Sequence, residues 1–88
     1  MASYKVNPKP SVEKDLRSLP KSAVIRVVKS LELLAENPFP RQALKLEGGD
    51  QLYRLRVGDY RIVYSVNQNV REVIIHYVRH RREVYRSR

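Results

Sequence analysis

The chain has 88 residues, 18 Lys and Arg against 9 Asp and Glu, a formal charge of +9, 42% hydrophobic residues and no cysteine. That length accommodates one domain, residues 1–88, around a modest core, and the composition excludes a disordered chain, a disulfide framework and thiolate metal sites. The opening residues lack a secretory signal's apolar stretch and the longest apolar run, 73–78, is too short to span a bilayer, so the expectation is a soluble cytoplasmic protein without membrane contact.

Taken in chain order, residues 3–7 alternate as a short strand, with Tyr4 and Val6 on one side and Ser3 and Lys5 on the other. Pro8 and Pro10 break it, and Ser11 can cap a helix running to 19. Pro20 suits the first turn of a second helix, where its missing N–H costs nothing. Val24, Val27, Val28, Leu31, Leu34 and Ala35 follow at helical spacing and read as core. That helix ends at Asn37-Pro38, with Asn37 in a left-handed cap.

Residues 39–50 read as a connection, with a turn at Gly48-Gly49-Asp50. Strands then follow over 52–57, 60–67 and 70–79, separated by Gly58-Asp59 and Gln68-Asn69. Glycine first in a two-residue hairpin loop is the pattern of a type II′ turn. The expected fold is α+β: an N-terminal strand and helical hairpin packed on one face of a mainly antiparallel four-stranded sheet.

The charge is uneven. Residues 1–40 carry five lysines and two arginines, whereas 41–88 carry ten arginines and one lysine. The lysine-rich half reads as ordinary solvated helix surface. Arginine's planar fork pairs bidentately with phosphate, so the arginine-rich half reads as a site for nucleic acid.

Counting back from the Gly58-Asp59 turn pairs Val57 with Tyr60, Arg56 with Arg61, Leu55 with Ile62, Arg54 with Val63 and Tyr53 with Tyr64. Tyr53, Leu55, Val57, Tyr60, Ile62 and Tyr64 then share the core face, and Arg54, Arg56, Arg61, Val63 and Ser65 the other. Like charges directly opposite destabilise a sheet by up to roughly 1 kcal/mol, so Arg56 facing Arg61 points to a polyanion or an acidic partner. The third strand returns 79–82 to the same end. A two-residue second turn puts His76 and His80 on the arginine face; a three-residue turn puts Arg79 there. Periodicity slightly favours the former, which leaves Val73, Ile75 and Tyr77 on the core side. Tyr53, Tyr60, Tyr64 and Tyr77 read as core aromatics, and His76 as a sheet residue with a structural hydrogen bond.

The run Leu52-Tyr53-Arg54-Leu55-Arg56-Val57-Gly58-Asp59-Tyr60-Arg61-Ile62-Val63-Tyr64 resembles the central hairpin of the RelE/ParE toxin superfamily. Val78-Arg79-His80-Arg81-Arg82-Glu83-Val84-Tyr85-Arg86 is similar to the C-terminal signature of its RelE branch. The N-terminal strand and helical hairpin, with Leu16-Arg17-Ser18-Leu19-Pro20, match too, so the resemblance covers essentially the whole chain.

The resemblance implies a toxin of a type II toxin–antitoxin system that enters the ribosomal A site and cuts mRNA. In that chemistry the ribose 2′-hydroxyl attacks the adjacent phosphate and the 5′-oxygen leaves, with no metal or other cofactor. It implies as partners the ribosome, mRNA and a small, acidic, partly disordered antitoxin. By position in the motif, Arg54 and Arg56 stand near the nucleophile and Arg61 stabilises the phosphate. Arg79 or Arg81 is the C-terminal active-site arginine, the spacing to Tyr85 favouring Arg79, and Tyr85 orients or stacks on the RNA. Arg81, Arg82 and Arg86 join Arg54 and Arg56 in RNA binding. Arginines replace the lysines that occur at 54 and 56, and a guanidinium is a poor general base. His80, with an ordinary pKa near neutrality, is the candidate proton carrier or a phosphate ligand. A ParE-like inhibitor of DNA gyrase without nuclease activity and a plain RNA-binding module are the competing readings.

Overall fold

The computed structural model describes residues 3–46 and 51–80. The expected turn at 48–50 and the residues Arg81, Arg82, Tyr85 and Arg86 lie outside them. The elements are β1 (Lys5–Pro8), α1 (Pro10–Arg17), α2 (Lys21–Glu36), β2 (Leu44–Lys45), β3 (Leu52–Val57), β4 (Tyr60–Asn67) and β5 (Glu72–His80). The sheet has five strands in the order β1-β5-β4-β3-β2, one more than expected. The added strand is the two-residue β2, which pairs antiparallel with β3 inside the segment read as a connection. β1 pairs parallel with β5, Lys5 opposite Glu72 and Pro8 opposite Ile75.

Pro10 occupies the first turn of α1, and Lys9 is its N-cap residue without a side-chain cap. Ser11, expected as the cap, lies within the helix, and its hydroxyl donates to the His76 carbonyl instead. The helix ends at Arg17, short of the expected 19; Val12 and Leu16 on it, and Leu19 just after it, pack into the core. Along α2, Ala23, Val27 and Leu34 are buried, while Val28 is 40% exposed. Val28 was expected in the core, but the helix leans inward on the Ala23–Val27–Leu34 line and turns it outward. Asn37 is extended at φ −145°, not left-handed, and its side-chain oxygen accepts the Phe39 N–H.

Both helices lie on one face of the sheet. Tyr64, Ile62, Val73, Ile75 and Val78 from the central strands close over Val12, Val27 and Leu34. The buried Tyr64 hydroxyl donates to the Pro38 carbonyl at 2.9 Å, which joins the sheet to the end of α2. Burial and the neighbouring Tyr53 push its pKa up to about 12.

The β3–β4 register matches the residue count from the turn at every pair. Gly58 has φ +60° and Asp59 a negative φ, which is the type II′ pattern. The β4–β5 turn departs from expectation. Gln68 to Arg71 form a four-residue loop in which the Asn67 side chain accepts the N–H groups of Asn69 and Val70 and Arg71 adopts φ +53°. Val70, expected in the strand, is exposed in this loop.

The register then shifts between Val63 and Tyr64, leaving His76 as the extra residue of a β-bulge. The bulge moves Tyr77 off the core side and opposite Val63, and puts Arg79 opposite Arg61 and His80 opposite Tyr60.

The bulge is held from the helix layer. β1 ends at Pro8, so the edge of β5 beyond Ile75 has no strand beside it. Lys9 N–H donates to the Ile75 carbonyl, the Ser11 hydroxyl to the His76 carbonyl, and Val78 N–H to the Asp15 carboxylate at 3.0 Å. Backbone groups that a missing strand would orphan are thus satisfied by α1 and the residue before it.

Candidate nucleic-acid interface

Three arginines stand side by side on the sheet face away from the helices. Arg56 on β3 faces Arg61 on β4, and Arg61 faces Arg79 on β5. Adjacent strands lie about 4.8 Å apart, so the row spans about 10 Å at the backbone. Two adjacent like-charge pairs cost up to roughly 2 kcal/mol together, a cost that a bound anion reverses. Arg54 follows on the same face, two residues from Arg56 and opposite Val63.

Local contacts orient two of the forks. Arg56 Nε donates to the Gly58 carbonyl at 3.1 Å, which ties that side chain to the hairpin turn. The Arg79 guanidinium lies 4.5 Å from the centre of the Tyr77 ring, a cation–π contact made possible because the bulge brings Tyr77 to this face. Arg54 and Arg56 also line an open depression of about 550 Å³ with Gln42, Leu44 and Gly58.

The histidines divide between the two sides. His76 Nε2 and Ser65 Oγ are 2.9 Å apart, on the arginine face and in the structural hydrogen bond expected of that residue. Burial and the nearby Lys9 charge hold its pKa below the ordinary 6.5, which favours the neutral ring. His80 was expected on the arginine face when the two-residue turn was favoured. Because of the bulge it pairs with Tyr60, with ring centres 5.2 Å apart in edge-to-face contact, on the helix side. Arg79 takes the outward position instead.

Arg26 on α2 was missed by the sequence reading, which treated the first half as plain solvated surface. A Cβ added at Gly58 would lie 3.3 Å from its Nη1, so this guanidinium rests against the hairpin turn that also holds Arg56. The available signal was an arginine among lysines on the exposed side of a helix. Among the described residues, no group of three or more histidines or carboxylates is gathered to hold a metal ion, and no helix is long and apolar enough to cross a membrane.

A small α+β fold presenting an arginine row on an open sheet defines the class, and comparison with known proteins specifies it. Residues 6–85 match the family model described as ParE toxin of type II toxin-antitoxin system, parDE. A candidate toxin of Methanocaldococcus jannaschii named RelE1 is 34% identical over 79 residues, covering 86% of this chain and 88% of that protein. Among solved structures, a chain of the archaeal RelE–RelB complex from Pyrococcus horikoshii superposes with a TM-score of 0.81 at 38% identity, covering 90% of this chain and 96% of that one. The isolated E. coli RelE toxin gives 0.77 at 26% identity, covering 96% and 93%. The chain belongs to the RelE/ParE superfamily of toxins of type II toxin–antitoxin systems.

Proposed function

We propose that this toxin is a ribosome-dependent endoribonuclease that cleaves mRNA in the A site. The observation that carries this reading is the row Arg56–Arg61–Arg79, in register across three strands on the face opposite the core, with Arg56 and Arg79 exposed and Arg61 half-buried between them. Such a row holds a phosphodiester and stabilises the added negative charge as the ribose 2′-oxygen bonds to phosphorus and the bond to the 5′-oxygen breaks. Arg61 and Arg79 clamp the phosphate, Arg56 and Arg54 steer the nucleotide carrying the nucleophile, and Arg81, Arg82 and Arg86 extend the contact to RNA. Tyr85 stacks on a base.

The 2′-hydroxyl must lose a proton and the leaving oxygen must gain one. His80, the candidate on the sequence, packs on Tyr60 on the helix side, across the sheet from Arg61 and Arg79, so the proton transfers are not assigned to it. A partner antitoxin, small and acidic, neutralises the arginine face until it is removed. The toxin then acts in the cytoplasm, where ribosomes and mRNA are.

Primer extension on an mRNA incubated with purified ribosomes tests the reading. Cuts that need both ribosomes and the protein, and that disappear with Arg61→Ala or Arg79→Ala, support it. Unimpaired cleavage by an Arg61/Arg79/Tyr85 triple alanine variant refutes the site. The match to a family model named for ParE favours one alternative, inhibition of DNA gyrase, which predicts blocked supercoiling with intact mRNA.

A further inference from the structure

Arg26, exposed on α2, takes no part in the arginine row, yet it reaches the same hairpin turn. Its Nη1 lies 3.3 Å from the point where a Gly58 Cβ would stand, and Arg56 Nε donates to the Gly58 carbonyl at 3.1 Å. The two guanidiniums converge on one residue from opposite faces of the sheet and lie within about 10 Å of each other. Glycine leaves the space in which the Arg26 fork rests.

Gly58 is also on the wall of the open depression of about 550 Å³ whose other lining residues are Gln42, Leu44, Arg54 and Arg56. The depression lies beyond Arg56 toward β2, where Leu44 pairs with Arg54. It therefore continues the line Arg79–Arg61–Arg56 across the sheet by one more strand. Arg54 and Arg56 line it, and Arg26 reaches its rim at Gly58.

Among the described residues, no carboxylate pairs with Arg26, Arg54 or Arg56, and Asp59 in the turn pairs with none of them. Like charges gathered this closely repel one another, and a phosphate between them turns repulsion into attraction. Guanidinium forks suit phosphate oxygens, which they can bind two at a time. Leu44 is the single apolar side chain of the described lining, too little to anchor a protein segment, which needs buried apolar or aromatic groups.

We infer that this depression holds a second phosphate of the RNA strand, the one on the 5′ side of the nucleotide whose 2′-hydroxyl attacks, and that Arg26 contacts it directly. The inference rests on the RNA-cleaving role proposed above, in which Arg61 and Arg79 hold the phosphate to be cut and Arg54 and Arg56 the attacking nucleotide. A strand laid out in that order crosses the sheet from β5 toward β2, and its next phosphate arrives beyond Arg56.

The test is binding of the full chain to a fluorescein-labelled uridine hexanucleotide, followed by anisotropy over a range of salt concentrations. Arg26→Ala, which puts a good helix former at an exposed helix position, should lower the slope of log affinity against log salt by about 0.7, one phosphate contact on a single strand, and weaken binding about 5-fold at about 0.1 M salt. Arg26→Gln, which keeps most of the side chain's reach without its charge, should lose as much and guards against a turn unsettled by alanine. Arg26→Lys should keep most of the slope. Combining Arg26→Ala with Arg56→Ala should lower it by about 1.4. Lys21→Ala removes an exposed charge about 140° round the helix from Arg26 and should leave the slope unchanged.

An unchanged slope in Arg26→Ala and Arg26→Gln, an equal loss in Lys21→Ala, or no binding of the hexamer by the unmodified chain overturns the second phosphate site. Variants at Arg26 that bind RNA normally but lose affinity for a hexaglutamate peptide overturn it too, in favour of an acidic protein partner. Cleavage of mRNA on ribosomes is measured separately: its absence refutes the nuclease reading, whereas a slope indifferent to Arg26 refutes only the second site.

Discussion

Replacing Asp15 with alanine removes the acceptor for Val78 N–H, a 3.0 Å bond to a carboxylate. Val78 is 1% exposed, and no strand covers its edge of β5 because β1 stops at Pro8. A hydrogen bond to a charged group contributes about 1.5–3 kcal/mol, and a buried donor left without a partner costs about 1–3. Asp15 itself is only half-buried, so water can partly replace it, and we expect a loss of about 2 kcal/mol. For a domain of this size that lowers Tm by about 8–16 °C. Asp15→Asn keeps a neutral acceptor and should lose about half as much. Thermal melts followed by circular dichroism, with urea titrations for free energies, measure both. The bond also pins the register that turns Arg79 outward, so Asp15→Ala should weaken RNA binding beyond what its fraction unfolded explains. A Tm within about 2 °C of the parent protein, far below the shift expected for a lost bond of this kind, would refute this account of the bulge.

Gly58→Ala should lower stability by about 1–2 kcal/mol, because φ +60° disfavours any Cβ; urea titration reads the loss, and the flexible Arg26 fork adds little to it. Arg56→Ala should reduce the slope of log affinity against log salt for single-stranded RNA by about 0.7, one phosphate contact, with the curvature of the melt unchanged. His76 has a folded-state pKa below its ordinary 6.5, so below pH 6.5 the unfolded chain binds a proton that the folded chain does not. Stability should therefore fall as pH drops through and below 6.5, and His76→Gln should flatten that part of the pH–stability curve. An unchanged slope would remove His76 as its source.

The hairpin around Gly58 was legible because one residue type dictates one turn, and a two-residue turn determines every pair behind it. Arg54, Arg56 and Arg61 followed by parity alone. Parity then failed on β5, where the argument needs unbroken pairing and one extra residue reverses it. Nothing in the run 73–78 marks His76 as that residue. What selects it is a serine and an aspartate on α1, distant in the chain, which can satisfy the edge of β5 only in the shifted register. Arg79 therefore joined the row while His80 and Tyr77 exchanged sides with expectation. β2 was invisible for a related reason: two residues are too few to show alternation, and they become a strand only because β3 lies beside them. The exposure of Val28 shows the same limit on α2, whose apolar residues cover a wider arc than the sheet can bury.

The parallel pairing of β1 with β5 joins residues such as Asn7 and Glu72, 65 positions apart. At roughly 5–20 residues per second of synthesis, β1 waits about 3–13 seconds for its partner strand to be made. During that interval α1 has no edge to cap, the core lacks Val73, Ile75 and Val78, and Arg56 and Arg61 lack their third member. The nascent chain thus carries its charge without the shaped row, and the cell has several seconds of translation in which an antitoxin can be ready before the finished sheet exists.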